Sequence, residues 1–427
     1  MLISWTKLLC LLALACSLWV CQRQIEQRAL TAEEMGIIPT GFEAQANPRT
    51  TRNTPCNTVE SYFIDTNYLS HYPLRYLRVN FHWMNSSDST QNVPEAAATE
   101  YTKQILHAMN YALANNKKMW LPHGNDTPVH PINFRYVLTG RPDDPADDGI
   151  YYHYDDELYY YVHYRRKHAN LYSRAVFDKY GIQLDTVLNI FLMPHHPDSV
   201  ASPTYPAQGV GVALRNATKV AAQWRQHWEQ RTKDTHWTYR GVINHEIGHL
   251  LGLGHAWVYD GCDDTPRHQQ KCWSRDSGPG CDTLASNNVM DYNSLQLAWT
   301  PCQIAKVHRR FADPRQLVRK LLIPEWCRLD TTQTIVIRDT VRWESMKDLN
   351  GNLYLAAGSQ LTIRCRTSMP PGSKIVIRPG AELRLDGGVL HQACGGVWQG
   401  IFVEKAGTQE GRFTLLADGR VRDVYQP

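Results

Sequence analysis

The stretch "VINHEIGHLLGLGHAW" (residues 242–257) sets His245 and His249 four residues apart, Glu246 beside the first, and His255 six residues after the second. On an α-helix, residues four apart share a face, so both imidazoles can reach one metal ion. Glu246 can then reach a water held by that ion without being a ligand. This is the arrangement of a hydrolytic zinc site. Gly252 can take a positive φ, end the helix and turn the chain, so that His255 returns as a third ligand. The His-Glu-x-x-His core alone is a fair signal; Gly252 and His255 make it specific. Ile243, Ile247, Leu250 and Leu251 supply the apolar side that such a helix must bury. Thirty-five residues after His255 stands "NNVMDYNS", with Met290 and Tyr292.

The extended motif resembles that of the metzincin metalloproteases, in which a tight turn carrying a methionine lies beneath the zinc. Met290 would be that residue, its soft thioether the floor of the site. The resemblance implies that Tyr292 ligates the resting zinc or donates a hydrogen bond to the tetrahedral intermediate; a buried structural tyrosine is the alternative. Finer features resemble the pappalysin-like metzincins, which include the cytophagalysin type. They are Gly261 and Cys262, Asp264 to Pro266, Cys272 and Cys281, Asn288 to Tyr292, and a Thr-Pro-x-Gln at Thr300 to Gln303. The likeness covers about residues 74–311. It departs from the family in a shortened loop before Asp264 and in Cys302, displaced past the Met-turn. Those departures put the family's calcium site and disulfide partners in doubt. We pair Cys272 with Cys281, and Cys262 with Cys302.

What the resemblance implies is a secreted zinc metalloendopeptidase acting on proteins or peptides, with Zn2+ as cofactor and Ca2+ as a further candidate. Glu246 would take the proton of the attacking water and pass it to the leaving amine. An extended substrate would add to an edge strand above the cleft, with "GVGVAL" (209–214) as the candidate. Bacterial relatives carry a cysteine upstream of the catalytic domain whose thiolate blocks the zinc. Cys56 is the candidate latency switch here, with Arg49 and Arg52 as cleavage points. An ordinary disulfide at Cys56 is the alternative.

Several elements must position these groups. "LRYLRVNFHWM" (74–84), "INFRYVLTG" (132–140) and the doubly apolar "VLNIFLMP" (187–194) read as strands, the last a central one. Residues 96–116 have helical spacing, with Ile105, Met109 and Leu113 on one face. Residues 172–180 read as a helix, 209–214 as a short edge strand, and the histidine helix starts near Tyr239. Strands alternating with helices predict an α/β (α+β) metzincin catalytic domain over 59–325. "DDPADD" (143–148) could chelate calcium but reads first as a solvated acidic loop. His195 and His196 read as loop residues.

After Pro324 the texture changes to short alternating strands separated by Gly or Pro, an all-β accessory region over 326–427. Gly358, Leu361 and Ile363 align with Gly380, Leu383 and Leu385, a repeat of 22 residues that suits a short β-solenoid; a β-sandwich is the alternative. At the other end, Lys7 and the apolar run 8–20 predict a signal peptide over 1–21, with acylation of Cys16 or Cys21 as an alternative to simple cleavage. Residues 22–58 read as a linker or pro-segment. Eleven cysteines leave eight outside the signal region, an even number that suits disulfides in an exported or cell-surface protein. The net charge of +4, with no long basic run, gives no indication of nucleic acid. Two readings compete with a protease: a surface binding or anchoring protein whose β-region is the working part and whose metal site is inert, and a zinc that only staples the fold. Neither explains the retained Glu246. Natural substrate, oligomeric state and the role of the β-region are not legible.

Overall fold

A computed structural model describes residues 25–37, 55–163, 165, 170–230 and 235–426. The predicted signal peptide, its two candidate acylation sites, Arg49 and Arg52 lie outside them. The described residues fall into two compact units, one within Thr51–Glu325, the other comprising the N-terminal segment and everything from Trp326.

The second unit takes in part of the segment read as a linker or pro-segment. Ile25–Ala29 (β1) pairs antiparallel with Ile401–Ala406. Apart from the short antiparallel pairing of Ile401–Ala406 with Gln409–Glu410, its strands otherwise form three parallel sheets. One holds Thr334–Ile337, Asn352–Leu355, Ile375–Ile377 and Ile401–Ala406; the next holds Thr340–Trp343, Gln360–Ile363, Glu382–Asp386 and Arg412–Leu416; the third is shorter. Leu361 faces Leu383 and Ile363 faces Leu385, the 22-residue offset of the sequence repeat, and all four are fully buried. The neighbouring pairings Ile375 to Ile401 and Glu382 to Arg412 run over longer offsets. That is why only two copies of the repeat show in the sequence. Cys327 and Cys394 form a disulfide within this unit.

The first unit carries the histidine motif. Arg75–Asn85 (β2), Phe134–Leu138 (β3), Ile150–Tyr154 (β4), Leu188–Pro194 (β5), Val210–Leu214 (β6) and Ala217–Ala222 (β7) form one sheet in the order β3-β2-β5-β7-β6, with β4 also on β2. Eleven residues long, β2 pairs β3 along its first half and β4 along its second, on one edge. All pairings are parallel except that of β6, which runs antiparallel to β7 and forms the edge. As expected, β5 is central and buried along its whole length. The sequence reading misses β7. Its "ATKVAA" is wholly buried although Lys219 interrupts the apolar pattern. The Lys219 ammonium donates to the carbonyls of Asn170 and Ser173, and burial lowers its pKa to about 8.

Glu95–Ala114 (α1) buries Ile105, Met109 and Leu113 as its spacing predicts, and packs on Thr235–Leu250 (α2), the histidine helix. α2 begins four residues earlier than predicted. An aromatic cluster sets its level: Trp224 packs edge-on to Trp83 and Tyr101 and lies 4.4 Å from the Tyr239 ring. The indole N–H groups are satisfied, Trp83 by Thr102 and Trp224 by the Met193 carbonyl. In the acidic loop, Asp147 accepts from Arg141, the Gly149 N–H and the Tyr151 hydroxyl, so its carboxylate is already engaged in a turn. His195 is not a surface residue: it is buried between the Tyr205 hydroxyl and the Gln208 carbonyl.

A buried histidine pair crosses the sheet. His82 Nε2 faces the carbonyl oxygens of Asn80 and Asn189, so it must donate. His82 Nδ1 then accepts from His153 Nε2 at 2.9 Å. The Phe191 and Tyr180 rings stack on the pair. Burial and the nearby Arg141 lower His153 to about 4, and burial lowers His82 well below its usual value. Both are neutral when folded and titrate near 6.5 when unfolded, so the unfolded chain binds more protons between those values. Stability should therefore be full above about pH 6.5 and fall as pH drops towards 4. His153→Gln keeps a donor for His82 but removes one titration. Unfolding free energies from urea titrations at pH 7 and pH 4.5 should differ less in the variant, by about 2 kcal/mol after allowing for partial exposure of His153; an identical pH slope would refute this account.

Candidate metal and catalytic site

α2 buries Ile243, Ile247 and Leu251 completely. Its end is a Schellman turn: the Leu253 N–H reaches the Gly248 carbonyl and the Gly252 N–H the His249 carbonyl, with Gly252 at φ +91°. This is the expected helix stop. The chain then doubles back and brings His255 to the helix, with its Nε2 3.0 Å from His249 Nε2.

Two backbone carbonyls orient the other imidazoles. His245 Nδ1 donates to Val289 O at 2.8 Å, and His249 Nδ1 to Leu253 O at 2.9 Å. Each bond fixes the tautomer and turns the Nε2 lone pair inward. The His245 Nε2 is buried and lacks a hydrogen-bond partner among the described residues. One nitrogen from each of the three rings lies within 4.8 Å of the others. Lone pairs aimed at one another inside a protein need a cation between them, and three neutral imidazoles are the donor set that suits zinc. Burial keeps all three rings neutral, with His245 lowered to about 3 and His255 to about 4.

The Met-turn lies beneath this cluster. A Cβ on Gly248 would overlap Met290 Sδ, so the thioether is seated directly on the helix backbone. Val289, which receives His245, precedes Met290. The Met290 carbonyl accepts the Ala256 N–H, tying the turn to the segment after His255. Asn288 and Gln303 exchange two side-chain hydrogen bonds, and Gln303 also closes a capping box with Thr300 at the start of Pro301–Ala312 (α3). This gives the Asn and the Thr-Pro-x-Gln of the motif a physical reason. Cys262–Cys302 and Cys272–Cys281 are disulfides. The first ties the loop after His255 to α3, where Asp264 also accepts the Cys302 N–H. Lys306 places its ammonium on the Asp260 carbonyl, where a calcium ion would meet like charge.

Glu246 is buried under β6. Its carboxyl is pushed up to about 8 by burial, against the opposing effect of an N–H donor, Ala213. A Cβ on Gly211 would fall 2.5 Å from Glu246 Cγ, so only glycine lets the strand pass at this height. Tyr292 is half exposed, its ring 5.3 Å from that of His255 and 5.6 Å from that of His245, so it is not buried as a structural tyrosine would be.

Some contributors are not legible in the sequence. The Trp257 ring stacks on His255 at 4.0 Å. Gln296 reaches His245 Nδ1 at 3.3 Å. Asp291 accepts from His268 at 2.6 Å and from Gln270, pinning the cysteine loop to the Met-turn. Types and spacing around Trp257 and Asp291 are visible in the chain, but not their partners. Cys56 is corrected: it is disulfide-bonded, and its sulfur has no thiolate with which to block a metal.

Gly211→Ala should move the Glu246 carboxylate by a fraction of an ångström. Hydrolysis of a reporter peptide should fall about 10- to 100-fold, with zinc content and melting temperature held. Unchanged turnover would show that β6 does not position Glu246.

Residues 204–312, about a quarter of the chain, match the peptidase M43 family model, described as pregnancy-associated plasma protein-A. No curated protein matches the chain. Among solved structures, mature mirolysin of Tannerella forsythia in complex with a cleaved peptide aligns at 16% identity over 58% of this chain and 95% of its own, with a TM-score of 0.39. A promirolysin mutant of the same organism aligns at 15% identity over 62% and 88%, with a TM-score of 0.41. Mirolysin in complex with a compound gives 16%, 58%, 96% and 0.39. The family match spans α2, the third histidine, the Met-turn and α3.

Proposed function

We propose that the protein is an exported zinc endopeptidase in which His245, His249 and His255 hold the metal and Glu246 is the general base. The observation that carries this reading is the convergence of three oriented imidazoles beside a buried carboxyl beneath an edge strand. A zinc ion held there would acidify a water and polarise the scissile carbonyl. Glu246 takes the water's proton as the oxygen bonds to the carbonyl carbon. It then returns the proton to the nitrogen as the carbon–nitrogen bond breaks. The β6 edge, free of a second strand neighbour among the described residues, aligns an extended peptide by adding it to the sheet. Tyr292, half exposed beside His255, is placed to donate to the oxyanion of the intermediate.

Export is supported by the N-terminal apolar run and by the disulfides. Among the described residues no helix is long and apolar enough to cross a membrane. The three parallel sheets support a short β-solenoid as an accessory module, a spacer or docking unit at the cell surface. Calcium is not part of this proposal, given the Lys306 ammonium on Asp260.

Glu246→Ala removes the base and leaves the ligands. The variant should keep one zinc per chain by metal analysis and lose casein and peptide hydrolysis by about 10²–10⁴-fold. Equal proteolysis by the two proteins, or no zinc in either, would refute the assignment.

A further inference from the structure

Behind the zinc site the same unit forms a second concavity, of about 550 Å³. One wall is the segment 117–125 that follows α1; another is the stretch 295–297 after the Met-turn. Asn287 staples them together. Its side chain accepts from the Trp120 N–H and donates to the Lys118 carbonyl, while its own carbonyl accepts from Leu297 and Ala298. Leu295 and Leu297 line the cavity, and Gln296 between them turns to His245. The cavity and the catalytic site therefore share one strand of chain as a common wall.

The lining is basic. Lys117, Lys118 and Arg275 bring three cations, with the His123 ring beside them. None of these three cations forms an ion pair among the described residues, and no carboxylate lines the cavity, in a chain with 41 acidic residues against 45 Lys and Arg. The Arg275 guanidinium lies 3.8 Å over the Trp120 ring. Stacking of this kind holds the plane of the guanidinium while leaving its N–H edge free to grip a carboxylate with two hydrogen bonds.

We propose that this cavity is a substrate subsite for an acidic side chain, which directs the protease to Asp- or Glu-bearing segments. The inference rests on the endopeptidase reading above. Arg275 and the two lysines supply the charge, and Trp120 with the two leucines supplies the wall against which the methylenes of a glutamate pack. Because the wall also carries Gln296, which reaches His245, the cavity lies one strand away from the histidine cluster. The acidic residue thus sits at a fixed distance from the bond that is cut.

The test uses the full-length, zinc-loaded protein and a library of natural peptides whose cleavage sites are read by mass spectrometry. Asp and Glu should be enriched at one position relative to the scissile bond. A peptide with Glu there should be cut about tenfold more efficiently than the same peptide with Gln, at low salt. The ratio should approach one in Arg275→Ala, recover in part in Arg275→Lys, and shrink at about 0.5 M salt, where the screening length is about half a nanometre. Turnover of the Gln peptide should change far less than that of the Glu peptide across the three proteins. Cleavage without acidic preference, or a preference that Arg275→Ala leaves intact, overturns the subsite and leaves the peptidase reading standing. A heparin oligosaccharide that binds through Arg275 while peptides show no preference overturns it in favour of a glycan. If the wild type cuts no peptide, the peptidase reading falls and the subsite with it.

Discussion

The hydrogen bond from His245 Nδ1 to the Val289 carbonyl is the contact on which the site depends. It joins the histidine helix to the Met-turn and chooses the nitrogen that faces the other two imidazoles. A backbone carbonyl is a good orienter because its own position is set by the chain, not by a rotamer. That transfers the burden to the turn, and the turn is held from several sides. Asn288 locks to Gln303 at the head of α3, Asp291 locks to His268, and Met290 is seated against Gly248. The first and last of these contacts are buried and the second is partly so, so breaking one leaves an unpaired group or a void more than a contact with water.

Two glycines set how closely the layers approach. Gly248 lets the thioether lie on the helix, and Gly211 lets the edge strand pass over Glu246. The same closeness that excludes water around Glu246 raises its proton affinity. The site is therefore made as much by what is missing from these two positions as by the side chains that do the chemistry.

The basic cavity and the catalytic cleft are neighbours through a single strand of chain, 295–297, with alternate residues on its two sides. This arrangement links recognition to catalysis without a long path. A charge gripped in the cavity places the substrate backbone with respect to Glu246 through one rigid wall, which Asn287 holds to the segment beyond α1.

The sequence by itself determined the three-histidine cluster, because its members lie within eleven residues and helical periodicity and one glycine suffice to bring them together. It also showed the central strand, the face of α1, the edge strand over the cleft and the 22-residue offset of two parallel rungs, since each is a local pattern of burial. The partners of long-range polar contacts were not legible. Lys219 in a buried strand, His195 in a buried pocket and the His82–His153 pair all violate local pattern and are satisfied by groups outside their own elements. Cys56 reads as a candidate thiolate switch from its position before the first strand; only the folded chain shows its sulfur in a disulfide. The strand Ile25–Ala29, exposed along its length, carries no burial signal at all. Its place is decided by backbone hydrogen bonds to Ile401–Ala406, and backbone groups are the same in every residue, so only the tertiary structure could assign it.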